Sequence, residues 1–323
     1  RAIWYPTTVA TRSYHIKKTI DAALRETSDA PETQLLFKLH DFGARGASSA
    51  QSAAIGGAAH LVNFRGTDTV PALLAVRRFY HEPIAGFSIP AAEHSTITAW
   101  GRDRETEAYA NMLRQFGGEG KLVAVVSESY DVYRAAGEIW GGSLKQAVEQ
   151  TGGTLVVRPD SGDPTVVPIE IMEILAEKFG ARINSKGYRV LPDCVRVLQG
   201  DGVNERSIAA ILRNMKEKGF AADNIAFGMG GALLQGLDRD TLKFAMKASA
   251  IRIEGGDWVD VFKSPVTDPG KASKKGRLAL VMRDGAYRTI RAEDLRSGED
   301  DLLEDVFIDG RPMRDQHFED IRR

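Results

Sequence analysis

Between residues 35 and 233, short apolar runs recur along the chain, and each stops at glycines or charged residues. In order they are LLFKLHDFGARG from Leu35, HLVNFRGTD from His60, GFSIPAAEH from Gly86, LVAVVSESYD from Leu122, TLVVRPDSGDP from Thr154, VRVLQGDG from Val195 and IAFGMGGAL from Ile225. Short apolar runs bounded by turn residues read as buried strands. The intervening segments carry apolar residues at helical spacing. Leu73, Leu74, Val76 and Tyr80 follow Pro71, and Met172, Leu175 and Phe179 lie between Pro168 and Gly180. Ile208, Ile211, Leu212 and Met215 lie between Asn204 and Gly219, and Ser143 precedes LKQAVEQ. A first-turn proline, an asparagine cap and a glycine stop are helix punctuation with a physical cause at each end.

Strand and helix therefore alternate, the pattern of a parallel sheet with crossover helices. Seven strands with a polar cluster at every exit predict an irregular (β/α) barrel whose rim is one active site. An open doubly wound sheet would also alternate, but it would gather ligands at one switch point. The two ends depart from this rhythm. Residues 11–26 predict one amphipathic helix with Ile16, Ile20, Ala23 and Leu24 on a face. After Ala245 the runs read as short strands, with two-residue hairpin signals at Asp284-Gly285 and Asp309-Gly310. The expected organisation is an N-terminal segment 1–33 packing with a second domain, a catalytic α/β barrel over 34–246, and a β-rich domain over 247–323.

Composition narrows the function classes. The chain has 323 residues, 43% of them hydrophobic and 27% charged, enough for one large core and a satellite domain. Lys plus Arg number 43 against 44 Asp plus Glu, so no global field favours a nucleic-acid backbone or an anionic membrane. No apolar stretch approaches the ~18 residues of a membrane span. A single cysteine, Cys194, excludes an internal disulfide and fits a reducing, cytoplasmic compartment. No secretory leader is visible, and the chain opens on Arg1, so its natural N-terminus is expected to be missing.

The exits carry the candidate chemistry. Glycine-rich turns at Gly200-Asp201-Gly202 and Gly230-Gly231 follow the sixth and seventh runs, where barrels commonly bind phosphate. Tight turns would need the same glycines. Asp201 is placed to accept from ribose hydroxyls. Arg158 and Asp160 flank the stiff Pro159, either as an ion pair or as a guanidinium for a flat ring and a carboxylate for a sugar. Arg45 offers a fork for phosphate. Asp68 fits either a helix cap or a ligand contact. His94 fits either a core residue or an acid, base, phosphate ligand or phospho-acceptor.

KLHDFGARG, HLVNFRGTDT, PAAEHSTITAWG, RPDSG, QGDGV, FGMGGALLQ with LDRD after it, and SKKGRLAL resemble the nicotinamide phosphoribosyltransferase family, in order and over nearly the whole chain. The resemblance implies an α/β-barrel homodimer with its active site shared across the interface. It implies that nicotinamide and 5-phosphoribosyl 1-diphosphate (PRPP) give nicotinamide mononucleotide and pyrophosphate, with Mg²⁺ and with ATP as a stimulating co-substrate. Carried over by residue, it places nicotinamide on Phe42, Asp68 and Arg158. Ribose and 5-phosphate fall to Asp160, Gly200, Asp201, Gly230, Gly231 and Arg239. The diphosphate falls to Arg45, His94 and Arg158, and His94 is the histidine that ATP phosphorylates; His94 and Asp160 are the catalytic pair. Lys247 and Lys271 are further candidates for phosphate contacts or solvated loop residues. Two positions depart from the family pattern, Ala44 in place of an aromatic and Glu128 in place of Asp. The family's N-terminal third is also missing from this chain. The alternatives are a nicotinate phosphoribosyltransferase and a catalytically incomplete fragment that only binds.

Overall fold

The structure is a computed structural model and describes residues 2–323. Six parallel strands form one sheet: β1 (Leu39–Asp41), β2 (Gly66–Thr67), β3 (Leu122–Val126), β4 (Thr154–Arg158), β5 (Val195–Gln199) and β6 (Ile225–Met229). Their order in the sheet is β2-β1-β6-β5-β4-β3. The third run, from Gly86, joins the two edges. Phe87 N–H donates to Arg65 O at 2.7 Å and Thr67 N–H to Phe87 O at 2.9 Å; Ala124 N–H donates to Pro90 O at 2.9 Å and Ala92 N–H to Ala124 O at 2.8 Å. Residues 87–92 thus bridge β2 to β3 and close the ring. Pro90 cannot donate, so this segment never becomes a regular strand.

All strands run in parallel, so every polar exit opens on one rim. Leu39, Val123, Val125, Leu155, Val157, Val195, Val197, Ile225 and Phe227 are buried in one core with the helices, while Ala124, Val156 and Leu198 form a separate cluster with Phe42 and Ile89. Helices cover the outside: α1 (Trp4–Thr27), α2 (Ala50–Leu61), α3 (Val70–Tyr80), α4 (Glu105–Phe116), α5 (Val167–Phe179) and α6 (Glu205–Glu217). Asn204 caps α6 through its side chain, which accepts from the N–H groups of Arg206 and Ser207. Gly219 follows the helix with φ +75°, a conformation that favours glycine.

The first helix departs from expectation twice. It begins at Trp4, with Pro6 in the first turn, where a missing N–H costs no helix bond. It also belongs to the barrel unit. Val9, Ile16, Ile20 and Leu24 join the main core, and α1 contacts α2 and α6. The reason is topological. The helix after β6, Gly231–Leu234, is a single turn, too short to cover β6 and β1, and α1 takes that place on the outer ring.

The chain divides into a unit reaching to Phe244 and rejoined by His317–Arg323, and a second unit, Ala245–Gln316. The C-terminal expectation is corrected accordingly: Phe318 is buried with Leu61, Ala72, Val76 and Ala85 of the first unit. In the second unit, Leu278–Arg283 pairs antiparallel with Ala286–Arg291, and Phe307–Ile308 with Arg311–Pro312. Both turns carry two residues at positive φ, Asp284 (53°) with Gly285 (71°) and Asp309 (47°) with Gly310 (83°), as the Asp-Gly signals require. Ser143 does not cap the helix Lys145–Gln150. It closes a wide-turned helix, Ala135–Ser143, that the apolar spacing did not announce. Among the described residues, no helix is long and apolar enough to cross a membrane.

Candidate active site

Where β1 ends, Phe42 N–H donates to Met229 O at 3.0 Å, which extends the pairing of β1 with β6 by one residue. The Phe42 ring then lies against Gly228. A β-carbon at Gly228 would sit 1.9 Å from Phe42 Cε2, so this strand position needs glycine for space. On another side, the Arg158 guanidinium lies 5.6 Å from the ring centroid. Phe42 and Arg158 thus form adjoining walls of one pocket, an aromatic surface and a cation, the kinds of group that contact a planar heteroaromatic ring.

Asp68 leaves β2 with its N–H on Asp41 O at 2.9 Å. It does not cap α3, whose start carries no side-chain cap bond. Its carboxylate accepts from the Ser88 hydroxyl. Ser88 belongs to the segment that closes the ring, and its role was not legible beforehand. Behind these exits lies Asp41, fully buried, with Oδ1 accepting from Gly43 N–H at 2.7 Å. Burial pushes its carboxyl up to about 6, against the pull of the Gly43 and Thr69 contacts. His40 reaches the Phe37 carbonyl through Nε2 at 3.0 Å, and burial draws its pKa down.

These side chains enclose a cavity of about 240 Å³ lined by Phe42, Arg45, Asp68, Ser88, Ile89 and Arg158, among others. Four of the expected site residues thus meet in one space. A larger cavity, about 450 Å³ and mostly apolar, opens at the opposite mouth around Lys38, Leu122, Arg196 and Ile225. The rim cavity is the chemical candidate because it holds the charged exits.

Beside it stands a second constellation. His94 opens a short helix, His94–Thr98, whose cap is the Glu93 carboxylate, accepting from Ser95 N–H at 2.8 Å. His94 Nε2 lies 2.5 Å from Glu128 Oε1 and 3.6 Å from Asp160 Oδ2. It is therefore a half-exposed rim residue and not part of the core. Arg158 holds Asp160 as a fork, with Nη2 at 2.9 and 2.8 Å from the two oxygens. Gly200 backs that pair: a β-carbon there would lie 3.0 Å from Arg158 Nε and 3.1 Å from Asp160 Oδ1. Ligand atoms of His94, Glu128 and Asp160 lie within 4.8 Å of one another. Glu128 is the exit residue to which the sequence assigned no role.

The remaining candidates are more dispersed. Asp201 is exposed at the β5 exit, and its carbonyl accepts from Gln199 Nε2 at 2.7 Å. Gly230 and Gly231 form the β6 exit. Arg45 sits on the turn Ala44–Gly46 and lines the cavity beside Ala44. Arg239 is turned to its neighbour Asp240 at 3.1 Å. Lys247 and Lys271 lie in the second unit, where Lys271 pairs with Asp268 at 3.3 Å.

Residues 37–316 match the model of the nicotinate phosphoribosyltransferase (NAPRTase) family. The chain belongs to that family. It is 56% identical to the nicotinamide phosphoribosyltransferase of Xanthomonas campestris pv. campestris, over 99% of this chain and 69% of the relative. It is 36% identical to the protein of that name from Mycoplasma pneumoniae, over 85% of this chain and 60% of the relative. The chain thus spans about two thirds of the length of these relatives. The nicotinate-nucleotide pyrophosphorylase of Pyrococcus furiosus superposes with a TM-score of 0.59 at 16% identity, covering 98% of this chain and 68% of that one. That likeness shows the shared fold, an α/β barrel with a second, β-rich unit.

Proposed function

We propose that this NAPRTase-family chain transfers the phosphoribosyl group of PRPP to nicotinamide, releasing pyrophosphate and forming nicotinamide mononucleotide for NAD synthesis. The observation that carries the choice of base is Asp68 in the rim cavity with Phe42 and Arg158. A carboxylate accepts from the carboxamide N–H₂ and repels the carboxylate of nicotinate. Arg158 is neutralised by Asp160, which leaves it a ring contact more than an anion receptor. The Xanthomonas and Mycoplasma relatives, both named for nicotinamide, support the same reading.

In the reaction the bond from ribose C1 to the diphosphate oxygen breaks, and the bond from C1 to the pyridine nitrogen forms. Positive charge that develops on the ribose ends on the pyridinium. No proton is transferred, so positioning and charge stabilisation carry the rate. Phe42 and Asp68 orient the ring nitrogen, Arg45 faces the leaving diphosphate, and Asp160 faces the ribose. The turns at Gly200 to Gly202 and at Gly230-Gly231 offer backbone N–H groups to the 5-phosphate, with Asp201 at the sugar hydroxyls and Arg239 swinging from Asp240. Mg²⁺ fits beside them: Glu128 and Asp160 supply the hard oxygen ligands it takes, and it would neutralise diphosphate charge.

ATP enters as a co-substrate that passes its terminal phosphoryl group to a ring nitrogen of His94 and leaves as ADP, a role supported by the half-exposed ring on the rim. A homodimer is supported by α3, which leaves the rim with Val70, Leu74 and Phe79 exposed. A reducing, cytoplasmic setting fits the one free thiol, Cys194.

The test is a product assay with PRPP and either nicotinamide or nicotinate, on the wild type and on Asp68→Asn. The wild type should prefer nicotinamide, and the variant should lose most of that preference in kcat/KM. An unchanged ratio removes Asp68 from the role; turnover of nicotinate alone overturns the choice of base.

A further inference from the structure

We propose that Gln235 is a positioning residue that locks the glycine-rich turn after β6 to the turn bearing Arg45. The two anionic ends of PRPP are then held in one geometry, an inference that rests on the function proposed above. Gln235 Nε2 donates to Gly43 O at 3.1 Å. The same carbonyl accepts from Gly46 N–H at 3.2 Å, which closes the turn Ala44–Gly46. A β-carbon on Gly46 would lie 2.4 Å from both Nε2 and Oε1 of Gln235, and one on Gly43 would lie 2.6 Å from Leu234 Cγ. Neither glycine has a positive φ, so both are present for space and not for backbone freedom. The turn after β6 is laid directly against the turn after β1.

The β6 turn is itself anchored from outside. Gln235 N–H and Gly236 N–H both donate to Gly231 O, at 2.8 and 2.7 Å. From α1, Tyr5 Oη donates to Leu234 O at 3.0 Å, and Arg12 Nη1 donates to Ala232 O at 3.2 Å and Gly236 O at 3.1 Å. Gln235 is the polar side chain through which that anchored body reaches the Arg45 turn. Phe42 is held separately, by Met229 O and the face of Gly228. Loss of the Gln235 contact should therefore loosen the diphosphate end and leave the base slot in place.

The experiment is steady-state kinetics, varying each substrate, on the wild type, Gln235→Glu, Gln235→Ala, Gly46→Ala and the double variant Gly46→Ala with Gln235→Ala. Q235E keeps the shape and removes the donor. It and Q235A should raise KM for PRPP roughly fivefold, the worth of one net hydrogen bond, while KM for nicotinamide stays within about twofold. G46A should do the same, because its methyl group displaces the Gln235 amide. The double variant should match Q235A alone, since the methyl then occupies vacated space. Multiplying effects in the double variant, or equal changes in both KM values, would overturn the proposal. A wild type that is inactive on nicotinamide would instead overturn the function on which it rests.

Discussion

Gly228→Ala tests the base slot most directly, because the geometry fixes what the added methyl group meets. Its carbon would sit 1.9, 2.3 and 2.7 Å from Cε2, Cδ2 and Cζ of Phe42. Carbon atoms rest at about 3.5 Å or more, so the ring must move by roughly 1.5 Å, about half the thickness of an aromatic slot. Gly228 lies inside β6, where alanine would otherwise gain about 0.5–1 kcal/mol over glycine. Overpacking costs about 1–3 kcal/mol, so the net destabilisation should be small, near 1 kcal/mol. The binding consequence is larger in proportion, because the displaced ring loses its stacking partner, worth about 0.5–1.5 kcal/mol. KM for nicotinamide should rise about three- to tenfold with the KM for PRPP little changed. The assay is a substrate titration beside a thermal melt. In a Phe42→Ala background the same alanine has room, and its destabilisation should vanish. If G228A leaves the nicotinamide KM unaltered, the ring does not contact the base as argued.

Two further outcomes follow from the rim. His94→Ala should abolish stimulation by ATP while the basal reaction persists, and Glu128→Gln, which removes the charge beside Nε2, should weaken that stimulation; product formation with and without ATP reads both, and retained coupling in H94A refutes the role. Asp41→Asn tests the buried carboxyl, whose pKa is raised from 3.8 to about 6 in the fold. The folded state therefore keeps a proton that the unfolded chain gives up. This contribution to stability is complete below pH 3.8 and is lost as pH rises through 6. D41N, which still accepts from Gly43 N–H, should melt above the wild type at pH 8, with the gap closing towards pH 4; a gap independent of pH refutes it.

The barrel was legible because a parallel sheet buried on both faces has to be written as short apolar runs, and those runs can end only where the chain meets water. The two Asp-Gly hairpins were legible because few residues tolerate positive φ twice in succession. What periodicity does not encode is partnership. Ile16, Ile20 and Leu24 declare that α1 has an apolar face, but only the one-turn helix after β6 explains why that face covers the barrel. The apolar stretch from Ala135 to Ser143 declares burial but not its wide turns, nor that Gly141 leaves room for the Lys178 side chain, whose Cγ would lie 2.4 Å from a β-carbon there. The contacts of Ser88 and Glu128 were not legible for the same reason: each meets a residue from a different exit.

The pair Arg158 and Asp160 shows why an ion pair and a ligand site are not competing readings here. Their mutual bonds satisfy one edge of each group, yet the guanidinium plane still lies over Phe42, and Asp160 Oδ2 still faces His94. Pairing holds two flexible side chains in one orientation before any substrate arrives, which lowers the ordering cost of binding. Gly200 makes this arrangement possible by leaving out the β-carbon that would press on both. An Arg158→Lys exchange would keep the charge and lose the fork, so Asp160 would no longer be fixed between the ring slot and His94. The rim thus holds a chain of contacts running from Phe42 through Arg158 and Asp160 to His94. Its geometry is set by the glycines behind it as much as by the charged groups in front.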